Sequence, residues 1–407
     1  MRSVLVMQMG ARRNYVAARQ LEAAGMLSAL VTDAAWVAGD ESLLRRAAER
    51  VGLGRRGLAR RTVAGVARER VISSYWPTLA GGLKRVVDAE RAYALIDEVF
   101  ARVHGPHVLD GVRVVVSTQG NGGALLDAAR ARGALIVTDF VVTPQYLEIV
   151  RDEYARWPDW HERPPSLAAI GRYRARIGAL LALSDIYLCP SAAVARDLAC
   201  VPGFVAGRAR VVPYGVSGRV MPACDVRPTA GRVLFAGEGG LRKGMPYLAA
   251  AATALKARMP GVEVVVAGAV SRRVRELRAT RDVTFAGVLD AGAMAAEFAR
   301  ADVFCLPSLA EGSAVAIFEA LAHGVPVVTT AASGSVVTNG VDGLIVAERD
   351  SAGIAEAVGS IVADRARRAA MSAAALTTAE RYSEAACGAA FVALIAGLTG
   401  EGLRREF

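Results

Sequence analysis

The sequence predicts an α/β chain of two domains, each built on a parallel sheet. Three observations carry this. At 407 residues the chain is long enough for two large cores. Short Val-rich runs alternate with helical patterns in both halves, as in β-α-β units. In each half a glycine turn follows the opening strand, at the carboxyl end where open α/β sheets bind ligands. No apolar run reaches the roughly eighteen residues needed to span a bilayer.

In the first half, Ser3 to Met9 reads as a strand that stops at Gly10. A helix follows from Tyr15 to Ala24, and Leu27 to Thr32 is the next strand. Gly10 is either a simple reversal or a ligand turn with Arg12 and Arg13 beside it. Asp40 to Glu98 reads as helical and arginine-rich, broken by Gly52, Gly54 and Gly57. It is either a solvated insertion or a basic surface for anionic lipid, where each Arg contributes on the order of 1 kcal/mol. Val112 to Ser117 and Leu135 to Thr138 are strands whose ends present Gln119, Asn121 and Asp139 at one rim. Asp139 is either a polar or basic group for an acceptor hydroxyl, or a turn and cap residue. Ser191, after Pro190, is placed to cap the helix that follows. Pro213 and Gly215 fit a stiff turn between domains, with the boundary near Ser217.

The second half opens with a strand, Arg232 to Ala236, then Gly237-Glu-Gly-Gly-Leu-Arg-Lys-Gly244, then a helix from Pro246 to Arg258. Glycines let the backbone approach a pyrophosphate, and Arg242 and Lys243 supply charge. Glu263 to Ala267, Val283 to Phe285 and Asp302 to Leu306 are further strands. The stretch from Pro307 to Thr330 then organises the domain. It reads as a turn bearing Glu311, a helix from Ser313 to Ala322 bearing Glu319, and a buried strand through Val327 and Val328. Glu319 falls roughly two turns, about 9 Å, along the helix from its start. The first-turn N–H groups of Gly312, Ser313 and Ala314 are expected to lack intrahelical partners and to carry the positive end of the helix dipole. Such a piece suits an extended ligand with hydroxyls at both ends and an anion between them, the layout of a nucleotide-sugar. Glu319 sits among Ile317, Phe318, Ala320 and Leu321, so its carboxylate needs a partner.

Glu311, seven residues, then Glu319 and EALAHGVPVV closely resemble the signature of glycosyltransferase family 4 (group 1). These are retaining transferases of the GT-B fold, two Rossmann-like domains facing across a cleft. The resemblance implies domains at 1–216 for the acceptor and 217–382 for the donor, with a terminal helix over 383–407 crossing back. It implies that Glu311 approaches the donor sugar, Glu319 holds the ribose and Lys243 meets the diphosphate. Gly10, Gly237, Gly312, Ser313 and Ala314 would line the donor, and Val288 and Leu289 would flank the base through backbone. Glu238 stands where the family often has an arginine, and Thr138-Asp139-Phe140 where it often has a histidine.

The implied reaction is transfer of a hexose from a UDP- or GDP-sugar to a glycan, lipid-linked or small-molecule hydroxyl. The chain has no Asp-x-Asp pair, so neither a bridging metal nor another cofactor is indicated. A sugar epimerase and a non-catalytic nucleotide or glycan binder are the competing classes. The net charge of +10 is nearly all arginine; Lys84, Lys243 and Lys256 are the lysines. That balance favours anionic partners, including anionic membrane, and no nucleic-acid motif accompanies it. The five cysteines form no CxxC pair and read as reduced residues of a cytoplasmic protein.

Overall fold

The computed structural model describes residues 2–37, 61–80, 89–160, 163–216 and 228–400. Among these residues, nine strands lie in the first half: β1 (Val4–Gln8), β2 (Leu27–Thr32), β3 (Trp36–Val37), β4 (Thr62–Val63), β5 (Val71–Ser73), β6 (Val114–Thr118), β7 (Leu135–Asp139), β8 (Ile186–Cys189) and β9 (Ala209–Val211). Six follow in the second: β10 (Arg232–Ala236), β11 (Glu263–Ala267), β12 (Val283–Gly287), β13 (Val303–Leu306), β14 (Val327–Thr330) and β15 (Gly343–Val346).

The first sheet has the order β5-β2-β1-β6-β7-β8-β9, and the second β12-β11-β10-β13-β14-β15. Every described pairing within both sheets is parallel. Strands such as Val-Val-Val-Ser-Thr in β6 and Glu-Val-Val-Val-Ala in β11 are nearly continuous apolar runs. Sheets covered by helices on both faces demand that pattern. The strand order reverses between β1 and β6 in one sheet and between β10 and β13 in the other. Loops leaving the carboxyl ends of those strands diverge to opposite faces and open a crevice.

The stretch from Asp40 to Glu98 is not helical throughout. Thr62–Val63 pairs with Trp36–Val37, and Val71–Ser73 extends the first sheet beside β2. Helix returns at Trp76–Ala80 and at Ala89–His104. Three β-rich residues gain ladder hydrogen bonds at a sheet edge, which outweighs the helical bias of the surrounding Arg and Ala. Arg45, Arg46, Arg50, Arg55, Arg56, Arg60, Lys84, Cys224 and the boundary at Ser217 lie outside the described residues. The last strand of the first sheet is Ala209–Val211, just ahead of the turn at Pro213 and Gly215.

Two crossings join the halves. Val216 donates its N–H to the Tyr382 carbonyl (3.1 Å), and Glu384 donates its N–H to the Val216 carbonyl (2.9 Å). A Cβ on Gly215 would sit 2.7 Å from the Glu384 backbone, so glycine permits this close passage. Past that point the helix Glu384–Thr399, capped by Ser383, buries Phe391 and Ile395 in the core of the first sheet. A third contact comes from the helix Tyr146–Arg156. Its Glu153 is fully buried and accepts from Tyr247 Oη and Arg349 Nε, each at 2.6 Å. Trp160, just beyond, packs into the core of the second sheet.

Candidate active site

The residues of interest gather on loops at the two switch points. After β10, Gly237 takes φ +134°, and its missing Cβ leaves room for the Lys243 side chain, whose Cε would be 3.0 Å away. Gly244 ends the loop with φ +70°, against the Pro307 carbonyl of the loop after β13. The two loops therefore lie in contact. Lys243 Nζ is 2.6 Å from Glu311 Oε1, and Arg242 Nη1 is 2.8 Å from Glu311 Oε2. Arg242 also donates to the Ala310 carbonyl at 2.9 Å. Burial alone would raise the Glu311 pKa, but the Lys243 and Arg242 charges outweigh it and hold the carboxyl below its ordinary range.

The helix carrying Glu319 runs from Val315 to Ala322, two residues later than the sequence suggests. Glu319 is thus about one turn, ~6 Å, from its start. Ala314 donates its N–H to the Ser333 carbonyl at 3.2 Å, so it is not an open donor. The N–H groups of Gly312 and Ser313 have no backbone acceptor among the described residues. The Ser313 hydroxyl is buried and unpartnered. The expected partner for Glu319 is also absent among the described residues. Its half-buried carboxylate instead faces a cavity of about 370 Å³ lined by Arg13, Asn14, Met294, Phe298 and His323, and desolvation raises its pKa.

A second cavity, of about 620 Å³, lies between the halves. Arg242 and Glu311 wall it from the second sheet, and Gly10, Arg12, Asp97, Gln119, Tyr173 and Arg176 are among its walls from the first. Gly312 sets how closely the halves meet there, since an added Cβ would overlap the Val141 carbonyl. Ser191, which caps its own helix, donates its hydroxyl to the Gly312 carbonyl at 2.6 Å. The loop after β1 touches both cavities. Arg13, Asn14 and Tyr15 are consecutive left-handed residues at φ 48°, 52° and 55°. Such residues cost about 1–2 kcal/mol each. Gln8 holds the loop, its Nε2 donating to the carbonyls of Gly10 (2.9 Å) and Arg12 (3.0 Å).

The structure separates other residues from this group. Asp139 ends β7 but lines a pocket of about 30 Å³ with Arg13, Tyr214 and Cys387. It is not among the walls of the large cavity, because the helix Glu384–Thr399 and Tyr214 cover that strand end. Burial raises its pKa, with Arg13 and Arg12 offsetting in part. Arg13 stacks 4.0 Å above the Tyr214 ring. Val288 is 68% exposed and lines neither cavity, while Leu289 is half-buried against the second core. Glu238 is exposed and makes no ion pair among the described residues.

Sequence reasoning missed Glu90, Tyr93, Asp97, Tyr173 and Arg176. A signal existed, since Glu90, Tyr93 and Asp97 are spaced by three and four on one helical face.

Similarity to known proteins agrees with this arrangement. Solved structures that superpose on nearly the whole chain include sucrose-phosphate synthase from Thermosynechococcus elongatus and HepE of Anabaena in complex with UDP and glucose. The first has a TM-score of 0.65 and 18% identity, covering 98% of this chain and 99% of that one. The second has a TM-score of 0.61 and 13% identity, covering 98% and 100%. The fold is GT-B. Within it, residues 230–364 match the family model described as Glycosyl transferases group 1. Glycogen synthase of Mycobacterium tuberculosis is 30% identical over 243 residues, 56% of this chain and 57% of that one. Phosphatidyl-myo-inositol mannosyltransferase of Mycolicibacterium smegmatis is 35% identical over 158 residues, 36% of this chain and 41% of that one. The chain therefore spans about half the length of these curated relatives. In the GT-B frame the large cavity is the cleft between the two sheets.

Proposed function

We propose that this chain is a retaining glycosyltransferase of family 4, moving a hexose from a UDP- or GDP-sugar to a hydroxyl of a glycan, lipid-linked or small-molecule acceptor. The observation that carries the reading is the Lys243–Glu311–Arg242 cluster, held between the two switch-point loops, with Arg242 and Glu311 lining the cleft. Two cations balanced by one carboxylate leave a net positive charge for a diphosphate. When the donor binds, its diphosphate takes Arg242 and Lys243, and the Gly312 and Ser313 N–H groups add donors. Glu311 is then released toward the sugar. Cations fixed beforehand where leaving-group charge develops stabilise the transition state without reorganising. We place the nucleoside ribose at Glu319, whose partnerless carboxylate would accept its hydroxyls. The acceptor hydroxyl attacks from the leaving-group face, and the departing phosphate takes its proton. No covalent nucleophile is required. The lack of an Asp-x-Asp pair in the sequence favours a metal-independent reaction.

Similarity to a glycogen synthase supports a glycan acceptor, and similarity to a mannosyltransferase that acts on a phosphatidyl lipid supports a lipid-linked one. No described helix is long and apolar enough to cross a membrane. Trp76 and Leu79 are 64% and 67% exposed, next to the arginine-rich stretch, which favours peripheral contact with anionic lipid. The test of the activity is release of nucleoside diphosphate from UDP- and GDP-sugars by purified protein. Lys243→Ala, still folded, is expected to abolish release. Unchanged release would remove Lys243 from the mechanism, and no release with any donor would favour a non-catalytic binder.

A further inference from the structure

One wall of the cleft is not used by the donor reading. Glu90, Tyr93 and Asp97 project from the helix Ala89–His104, and Tyr173 and Arg176 from the helix Leu167–Leu183. Gln119, on the loop after β6, takes a left-handed φ of 51°. Its Nε2 donates to Tyr173 Oη (3.3 Å), and its Oε1 accepts from the Val141 N–H (3.0 Å). Arg176 is committed: its Nε meets Glu90 Oε2 at 3.1 Å, and its Nη1 donates to the Gln119 carbonyl at 3.1 Å. Tyr146 and Tyr173 meet edge to face, ring centroids 5.0 Å apart.

One oxygen on this wall lacks a partner. Asp97 Oδ1 is buried and accepts no hydrogen bond among the described residues. Leaving a buried acceptor unpaired is unfavourable, and a bound O–H donor would relieve it.

Resting on the glycosyltransferase reading, we propose that the wall formed by Tyr93, Asp97, Gln119, Tyr146, Tyr173 and Arg176 seats the acceptor, and that the acceptor end bound there is an uncharged polyhydroxylated ring. Hydroxyls supply the donor that Asp97 Oδ1 lacks. The aromatic rings offer an apolar face to the C–H side of such a ring. A phosphate or carboxylate at the same place would bring no donor, would oppose the Asp97 carboxyl, and would find Arg176 already engaged. Arg12 pulls the other way, since it lines the cleft with no ion-pair partner among the described residues. The anionic probes below measure its weight.

The experiment is saturation-transfer NMR on the full chain with UDP or GDP present. The neutral probes are methyl glucoside, methyl mannoside and myo-inositol, and the anionic probes are glucose 1-phosphate and glucuronate. Thermal shift by the nucleotide is read on the same samples. Saturation of at least one neutral ring is expected, displaced poorly by the anions and weakened at least tenfold in Asp97→Asn with the nucleotide shift intact. Three results overturn the proposal: anionic probes binding more tightly than neutral ones, equal binding in Asp97→Asn, or no signal from any ring. Loss of the nucleotide shift alone would strike the donor reading and leave the wall judged on its own signals. Tyr173→Phe keeps the ring and deletes the hydroxyl, and is expected to weaken neutral binding less than Asp97→Asn.

Discussion

Replacing Asp97 by Asn isolates the energetic consequence of burying a carboxyl in the cleft wall. Desolvation is the largest influence on Asp97, with the Arg176 charge and the Gly122 N–H opposing it and Glu90 reinforcing it. Together they push its pKa from an ordinary 3.8 to about 7. The folded chain therefore holds this proton to higher pH than the unfolded chain does. Stability falls as pH rises from about 4 to about 7, and the full cost of ionising Asp97 in the fold is about 4 kcal/mol above that range. Asparagine carries no such cost. The stability of Asp97→Asn relative to wild type is thus expected to grow by about 3 kcal/mol between pH 5 and pH 8. Urea unfolding of both proteins at pH 5, 6, 7 and 8 measures this as a widening gap in midpoint. Parallel midpoints across the range would refute the burial argument, and with it the unpaired oxygen on which the acceptor wall depends.

Glu311→Gln leaves Arg242 and Lys243 facing each other without their counter-charge, and should cost about 3 kcal/mol at neutral pH. Because the Glu311 pKa is lowered, its stabilisation is present above the ordinary 4.5 and is lost as pH falls through the lowered value. Thermal melts of the two proteins should accordingly converge in acid below that point; a constant gap would contradict the pairing. Gly312→Ala introduces a Cβ into the Val141 carbonyl and should cut transfer at least tenfold, measured by steady-state kinetics. Full activity would mean that the halves need not meet this closely.

The second sheet was legible because its strands are uninterrupted Val-rich runs bounded by glycine. β10 and β11 fall on the residues the pattern names. The pairing of Lys243 and Arg242 with Glu311 was half legible. The motifs placed Lys243 and Arg242 near a diphosphate and Glu311 near the donor sugar, but the ion pairs depend on the contact between two loops brought together only by sheet order. The edge strand Val71–Ser73 was hidden in helix-favouring sequence, since three residues carry too little periodicity to compete. Asp139 lies apart from the large cavity for a different reason. A strand end normally faces the crevice, but here a helix from the far end of the chain covers it. Asp97 and Glu90 read as solvated helix acids until the helix Leu167–Leu183 is seen to bury them. Of the left-handed run from Arg13 to Tyr15, only Asn14 is a residue type that favours that conformation.

The most direct test of the account is calorimetric titration of the full chain with UDP, GDP, ADP and TDP and with their glucose, galactose and mannose conjugates. One nucleotide series is expected to bind clearly best, with affinity lost in Lys243→Ala and reduced in Glu319→Ala. Binding by none of them, or equal binding in both variants, would contradict a donor site at this cleft.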